Sequence, residues 1–228
     1  MKKIITLSSI ILCLSVSAQE YTIGEAVDLG LSVKWASCNV GATSPEEYGN
    51  YYAWGEIEEK EDYCWKTYKW CNGTNEYFTK YCKSKNCGIK DNKTILEPED
   101  DVARVKWGAG WRMPTYKEIK ELIKKCKWSS TVYNGVSGYK VVGPNGNSIF
   151  LPFTGCRNNK TVRYYSNDNT DFFYWSSDLH AISFAKCLNS HAIDLMIYCH
   201  DLPGLNKSIN RSLTSIRCFG CPVRPVTK

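Results

Sequence analysis

The chain has 228 residues, with 29 Lys/Arg against 23 Asp/Glu and 43% apolar residues. A formal charge of +6, which falls to +4 without Lys2 and Lys3, is too weak a bias to argue for nucleic acid. No run after the first residues approaches the roughly 18 to 20 apolar residues that span a bilayer, so a transmembrane segment is excluded as well.

Lys2 and Lys3, the apolar run from Ile4 to Val16, and the small residues of Val16-Ser17-Ala18 read as a secretory signal over residues 1–18, with the mature chain starting at Gln19. Cys13 follows the bulky pair Ile11-Leu12, which argues against lipid anchoring. The expectation is an exported protein, periplasmic, on the outer-membrane surface or extracellular. No linker or composition break divides residues 19–228, so they are expected to form one domain. Charge is uneven along it: residues 19–121 hold 14 Lys/Arg and 18 Asp/Glu, and residues 122–228 hold 13 and 5. A basic second half suits either solvated surface lysines or an anionic partner.

Residues 26–36 alternate around Gly30 as an early strand or hairpin that carries Trp35 inward. Residues 48–55 (YGNYYAWG) are the next strand candidate. Residues 56–94 are polar and aromatic with a turn signal at Asn72-Gly73, and read as loops pinned by tryptophans and cysteines. Pro98 followed by three acids predicts a helix start in residues 97–105.

A second helix is better marked. Thr115 and Glu118 form a capping box, and Ile119, Leu122, Ile123 and Cys126 follow at the spacing that puts them on one buried face. Downstream, Gly143-Pro144-Asn145-Gly146 between residues 139–142 and 148–151 predicts a tight hairpin. Residues 174–177, 192–198 and 217–226 are further strand candidates. The sum is an α+β fold, two short helices packed on antiparallel strands with long irregular loops.

Taken together, residues 27–36 (VDLGLSVKWA), Asn39-Val40-Gly41-Ala42, residues 48–56 (YGNYYAWGE), Trp111-Arg112-Met113-Pro114-Thr115, residues 146–152 (GNSIFLP), Tyr174-Trp175-Ser176-Ser177 and Val223-Arg224-Pro225-Val226 resemble the Fibrobacter succinogenes major paralogous domain, found in gut Bacteroidetes. The resemblance covers residues 25–227. It implies a C-type-lectin-like fold, similar to the formylglycine-generating sulfatase-modifying enzymes, with the terminal strands paired, and it names no reaction. Residues 157–219 depart from the pattern. They lack Glu and Gln and are rich in Asn, Ser, Tyr and Asp, the residue set that diversity-generating retroelements produce from asparagine codons. Lys160, Trp175, Lys186, Met196 and Lys207 would then be fixed positions.

Eleven cysteines remain after the signal, an odd number that cannot all pair. Cys64/Cys71 and Cys82/Cys87 are close enough to close local disulfide loops, and the alternative is thiols packed as small apolar groups. Cys218-Phe219-Gly220-Cys221 has zinc-knuckle spacing, but the remaining ligands would have to be Cys199 and His200, adjacent residues that rarely bind one ion. His180, His191 and His200 read as loop histidines. Trp35, Trp54, Trp107, Trp111 and Trp175 are expected in the core.

No catalytic residue and no metal site is nominated. Calcium through scattered Asp and Asn is left open without a site, because neither lectin tripeptide, Glu-Pro-Asn or Gln-Pro-Asp, occurs. The expected binding residues are Tyr164, Tyr165, Asn167, Asp168, Asn169, Asp171, Tyr174, Asp178 and His180, since aromatics alternating with short amides and acids suit sugar stacking and adaptable contacts. The function expected is non-catalytic recognition of glycan or protein through loops of residues 157–210. An oxidase-like enzyme related to the formylglycine-generating group and a structural subunit of a surface assembly are the alternatives.

Overall fold

The computed structural model describes residues 24–166, 168–189 and 214–228. The expected leader, the strand expected over residues 192–198, Asn167, His191, Cys199 and His200 lie outside these residues.

Near the start, β1 (Ala26–Val27) and β2 (Lys34–Ala36) form the expected hairpin, with Val27 opposite Trp35. The helices are α1 (Val102–Trp107) and α2 (Tyr116–Lys125). A meander follows: β3 (Lys127–Tyr133), β4 (Val136–Val142) and β5 (Ser148–Pro152). Then come β6 (Cys156–Asn158), β7 (Thr161–Arg163), β8 (Phe173–Ala181), β9 (Phe184–Asn189), β10 (Thr214–Ile216) and β11 (Val226–Thr227). Among the described residues these make four small antiparallel sheets, in the orders β1-β2-β11, β3-β4-β5, β6-β7 and β10-β9-β8. The fold is α+β.

The capping box at α2 forms as expected. Thr115 accepts the Glu118 amide, and the Glu118 carboxylate accepts the Thr115 amide at 2.7 Å. Ile119, Leu122 and Ile123 are buried in one apolar cluster with Tyr139, Val141, Ile149 and Leu151 of the meander and Tyr174 and Leu188 of β8 and β9. The helix expected from residue 97 begins later. Pro98 opens a single 3₁₀ turn (Pro98–Asp100), and Asp101 is the true cap of α1, accepting the Arg104 amide. Asp101 also accepts the Met113 amide at 2.9 Å, so one buried carboxylate ties the two helix starts together.

The predicted hairpin at residues 143–146 is present, with Val142 opposite Ser148. Its neighbour, β3 to β4, turns on Asn134-Gly135, both at positive φ (46° and 82°), the two-residue geometry that Asn-Gly favours. Residues 48–55 do not form a strand. Gly49 and Gly55 sit at φ 68° and 76°, and only Tyr52 bridges another segment, at Cys221. Residues 217–225 are likewise irregular; strand pairing resumes at β11, where Val226 faces Trp35.

The ends of the described chain are locked together by Arg224, whose side chain is buried. Its Nε donates to Asn39 Oδ1 at 2.7 Å, Nη1 to the carbonyls of Ala36 (3.1 Å) and Ser37, and Nη2 to the carbonyl of Phe150 at 3.0 Å. One guanidinium thereby bridges the terminal sheet and β5. Arg112, on the partner strand position of Val226, holds Glu118 with two parallel bonds of 2.5 and 2.8 Å.

Four of the five tryptophans expected in the core are buried there; the fifth, Trp111, is half-buried with its ring edge-on to Trp107 at 5.2 Å. The ten described cysteines are free thiols, nine of them buried. Among the described residues no two cysteine sulfurs lie at bonding distance; those of Cys82 and Cys87 are 3.3 Å apart. Burial pushes the thiols of Cys156 and Cys218 up to about 12, so they behave as small apolar groups.

Replacing Arg224 with lysine puts one point charge where a planar fork met four acceptors and should cost about 3 kcal/mol in urea unfolding. Glu118 supplies a second test. Burial opposes its charge, but Arg112 and Thr115 together hold its carboxyl below the usual range. The stability it contributes is therefore present at neutral pH and is lost as pH falls from the ordinary carboxylate range through its lower folded value. Glu118→Gln should flatten the acid limb of a melting-temperature profile and cost about 1 kcal/mol at pH 7.

Candidate functional site

A groove of about 660 Å³ opens between the far end of the meander and the segment that follows β7. One wall is β3 and β4, through Ser130, Thr131, Val132 and Ser137; the other is Tyr164, Asp168, Asn169 and Thr170; Tyr48 and Phe153 complete it. Along β3, Trp128, Ser130 and Val132 share the inner face, since alternate residues point to one side. Trp128 packs edge-on against buried Tyr139, at 5.8 Å between centroids, whereas Ser130 and Val132 run past the core and leave the groove's wall open.

The segment 164–171 is held by its own hydrogen bonds. Asp171, 1% exposed, accepts the main-chain amides of Tyr165 and Ser166. Asp168 accepts the Thr170 hydroxyl at 2.8 Å, which holds its carboxyl below the usual range, and Asn169 takes a left-handed conformation at φ 57°. Opposite, the hairpin tip is fastened by the Asn134 amide donating to Glu46 at 2.8 Å, two residues before Tyr48. Tyr164 stands beside Tyr48; burial and the Tyr48 phenol push its hydroxyl up to about 12, so the Tyr164 phenol stays a neutral donor at ordinary pH.

Of the expected binding residues, Tyr164, Asp168 and Asn169 line this groove. Tyr165 is 55% exposed but turns to Phe173 and Cys156, outside the groove lining. Asp171 and Tyr174 are corrections: both are buried. Asp171 braces the loop, and the Tyr174 hydroxyl donates to the Pro152 carbonyl at 3.1 Å. Asp178 caps α2 from outside, accepting the Tyr116 amide at 2.8 Å, and burial raises its carboxyl. His180 is exposed on β8; partial burial and the charges of Lys186 and Lys83 push its pKa down. Neither Asp178 nor His180 lines the groove. The expected loops of residues 157–210 also prove to include core, because Phe172, Phe173, Trp175 and Leu188 are buried.

Ser130, Val132 and Ser137 were not among the expected binding residues, nor was Tyr48, which was read only as part of a strand candidate. For the three meander residues the only signal was the Asn134-Gly135 turn, which marks a second hairpin and so a strand edge.

One acidic group invites a cation reading: Glu97, Glu99 and Asp100. The Lys80 ammonium already lies among them, 2.5 Å from Glu97 and 2.6 Å from Asp100, and supplies the positive charge. Set against known proteins, the chain matches no family model, no curated protein and no solved structure.

Asp171→Ala should lower stability by about 1–3 kcal/mol, because two main-chain amides lose their buried acceptor. Asp168→Ala, on the exposed side of the same loop, should stay within about 0.5 kcal/mol of the parent. Parallel thermal melts check both.

Proposed function

We propose that the chain is an exported, non-catalytic recognition domain that binds a glycan or a protein in the groove between the meander and the segment 164–170. The observation that carries the reading is the pairing of Tyr48 and Tyr164 with Asp168, Asn169, Ser130 and Ser137 around one open groove of about 660 Å³. Rings give flat apolar faces for a sugar ring, and short amides, acids and hydroxyls give directional bonds to its hydroxyl groups. These side chains sit on braced backbone, so little ordering is lost on binding.

An oxidase-like reading needs a thiolate. Cys187 is fully buried and burial raises its thiol far above the ordinary value, which favours recognition over thiol chemistry. Membership of the Fibrobacter succinogenes major paralogous domain family, with its C-type-lectin-like fold, belongs to the same proposal. It is supported by the pairing of β2 with β11 and by the structural use of the motif residues Trp35, Trp54, Arg112, Trp175 and Arg224.

A glycan array followed by calorimetry on the strongest hit tests the proposal. Tyr164→Ala and Tyr48→Ala should each weaken binding by roughly tenfold, about 1.4 kcal/mol, with little change in melting temperature. His180→Ala should leave affinity unchanged. Equal affinity in the parent and both tyrosine variants would refute this groove as the site.

A further inference from the structure

β3 is an edge strand, hydrogen-bonded to β4 on one side only. Which of its groups are left over follows from one bond. Phe153 N–H donates to the Ser137 carbonyl at 3.0 Å, so the odd-numbered residues of β4 turn their main-chain groups toward β5. The even-numbered ones serve β3, and the register pairs them with Lys127, Ser129, Thr131 and Tyr133. Trp128, Ser130 and Val132 therefore direct N–H and C=O outward, and among the described residues no other main chain meets them.

Free edges are usually blunted by proline, a bulge or an inward charge. β3 has none of these: its pairing with β4 is continuous over all seven residues, and its one charge is Lys127 at the end. The order KWSSTVY is also self-complementary. Laid antiparallel on itself about Ser130, it sets Trp128 against Val132, Ser129 against Thr131 and Lys127 against Tyr133. Apolar meets apolar, hydroxyl meets hydroxyl, the ammonium meets an aromatic ring, and no like charges face each other. The same register brings the outward main-chain groups of Trp128, Ser130 and Val132 onto their counterparts. It also covers Val132, an apolar side chain left 64% exposed.

We propose that two copies of this chain join through β3, antiparallel about Ser130, to form a continuous six-stranded sheet. The two-fold axis stands normal to the sheet, so both grooves lie on one side of it.

Sedimentation of the purified chain tests this, with Ser130→Glu and Ser130→Lys measured alone and mixed. The parent should sediment as a dimer. Each variant alone sets like charges opposite one another at the axis, and its dimer should dissociate about fivefold or more readily at low salt. The equimolar mixture should recover the dimer, because glutamate then faces lysine. Circular dichroism confirms that each variant is folded; should either fail, Val132→Glu replaces it, with the same expectation of a weakened dimer. A monomeric parent at the highest soluble concentration would overturn the proposal, and so would a dimer indifferent to these substitutions or a mixture no more dimeric than its parts.

Discussion

The burial of Arg224 constrains everything else in this structure. An ionised group without water is costly, and no carboxylate lies among its hydrogen-bond partners, so its charge is met by dipoles: three main-chain carbonyls and the Asn39 side-chain oxygen. Burial lowers its pKa, yet guanidinium stays protonated in proteins. The acceptors belong to the end of β2, the turn after it and β5, so they can converge on the fork only when the terminal sheet and the meander are already in register. Arg217 does the same work elsewhere. Its nitrogens reach the Tyr68 hydroxyl and the carbonyls of Lys80, Tyr81 and Ile182, and its plane lies 4.6 Å from the Phe78 ring. It fastens the irregular residues 56–94 to the β8–β9 hairpin, a region with too little regular pairing to hold itself. Both arginines favour one arrangement of the chain, since a misassembled chain would leave a buried cation unsolvated.

With the frame fixed in this way, the groove follows from lengths. The far ends of β3 and β4 run beyond the apolar cluster on their inner face, so Ser130, Val132 and Ser137 overhang the core while Trp128, Tyr139 and Val141 stay on it. The overhang would collapse onto the body unless something kept it apart. Glu46 holds the tip through Asn134, and Asp171 stiffens the opposite wall by accepting two consecutive amides. Tyr51 donates to the Thr154 carbonyl at 2.6 Å and anchors the Tyr48 segment to the exit from β5. Polar braces at three points thus keep an open space where packing alone would close it.

How much of this was readable from residue order depended on whether a signal was local. The Thr115/Glu118 box and the stripe of Ile119, Leu122 and Ile123 are completed within one helix, and they held. The Asn-Gly pairs gave mixed results: the one at Asn145-Gly146 stood between visibly apolar strands, whereas Asn134-Gly135 followed KWSSTVY, an edge strand exposed on much of both faces, whose alternation is too polar to stand out. Residues 48–55 misled in the opposite direction. Their aromatics look like those of a strand, but the Tyr51 hydroxyl is placed on Thr154 and the Trp54 ring nitrogen on the Ser176 carbonyl, while the Tyr52 main chain bridges to Cys221, between glycines at positive φ. Asp171 looks like surface loop by composition and Tyr174 like an exposed strand start, and only the three-dimensional acceptors and donors around them reveal that a carboxylate and a phenol are in the interior. The terminal pairing of β2 and β11 spans nearly 200 residues and was legible only through the family resemblance, because no local rule carries information that far.

The meander supplies two things at once, a wall for the groove and an unsatisfied edge, and the two are chemically separate. Side chains of Ser130 and Val132 face the groove; their main-chain groups point sideways, toward the seam of the proposed dimer. A strand can serve both because side-chain and main-chain directions are perpendicular. The consequence concerns ligand type. Shallow polar grooves that stack one or two sugar rings bind weakly, since most of the hydrogen bonds gained were already made to water. Two such grooves on the same side of a joined sheet make the second contact intramolecular, and avidity can then exceed single-site affinity by roughly 10²–10⁴ without any added contact. That gain is available only from a ligand that repeats its epitope, such as a polysaccharide or a crowded surface. In the proposed dimer a short, single-epitope ligand would see two independent weak sites, so grooves paired in this way would favour a ligand that repeats its epitope.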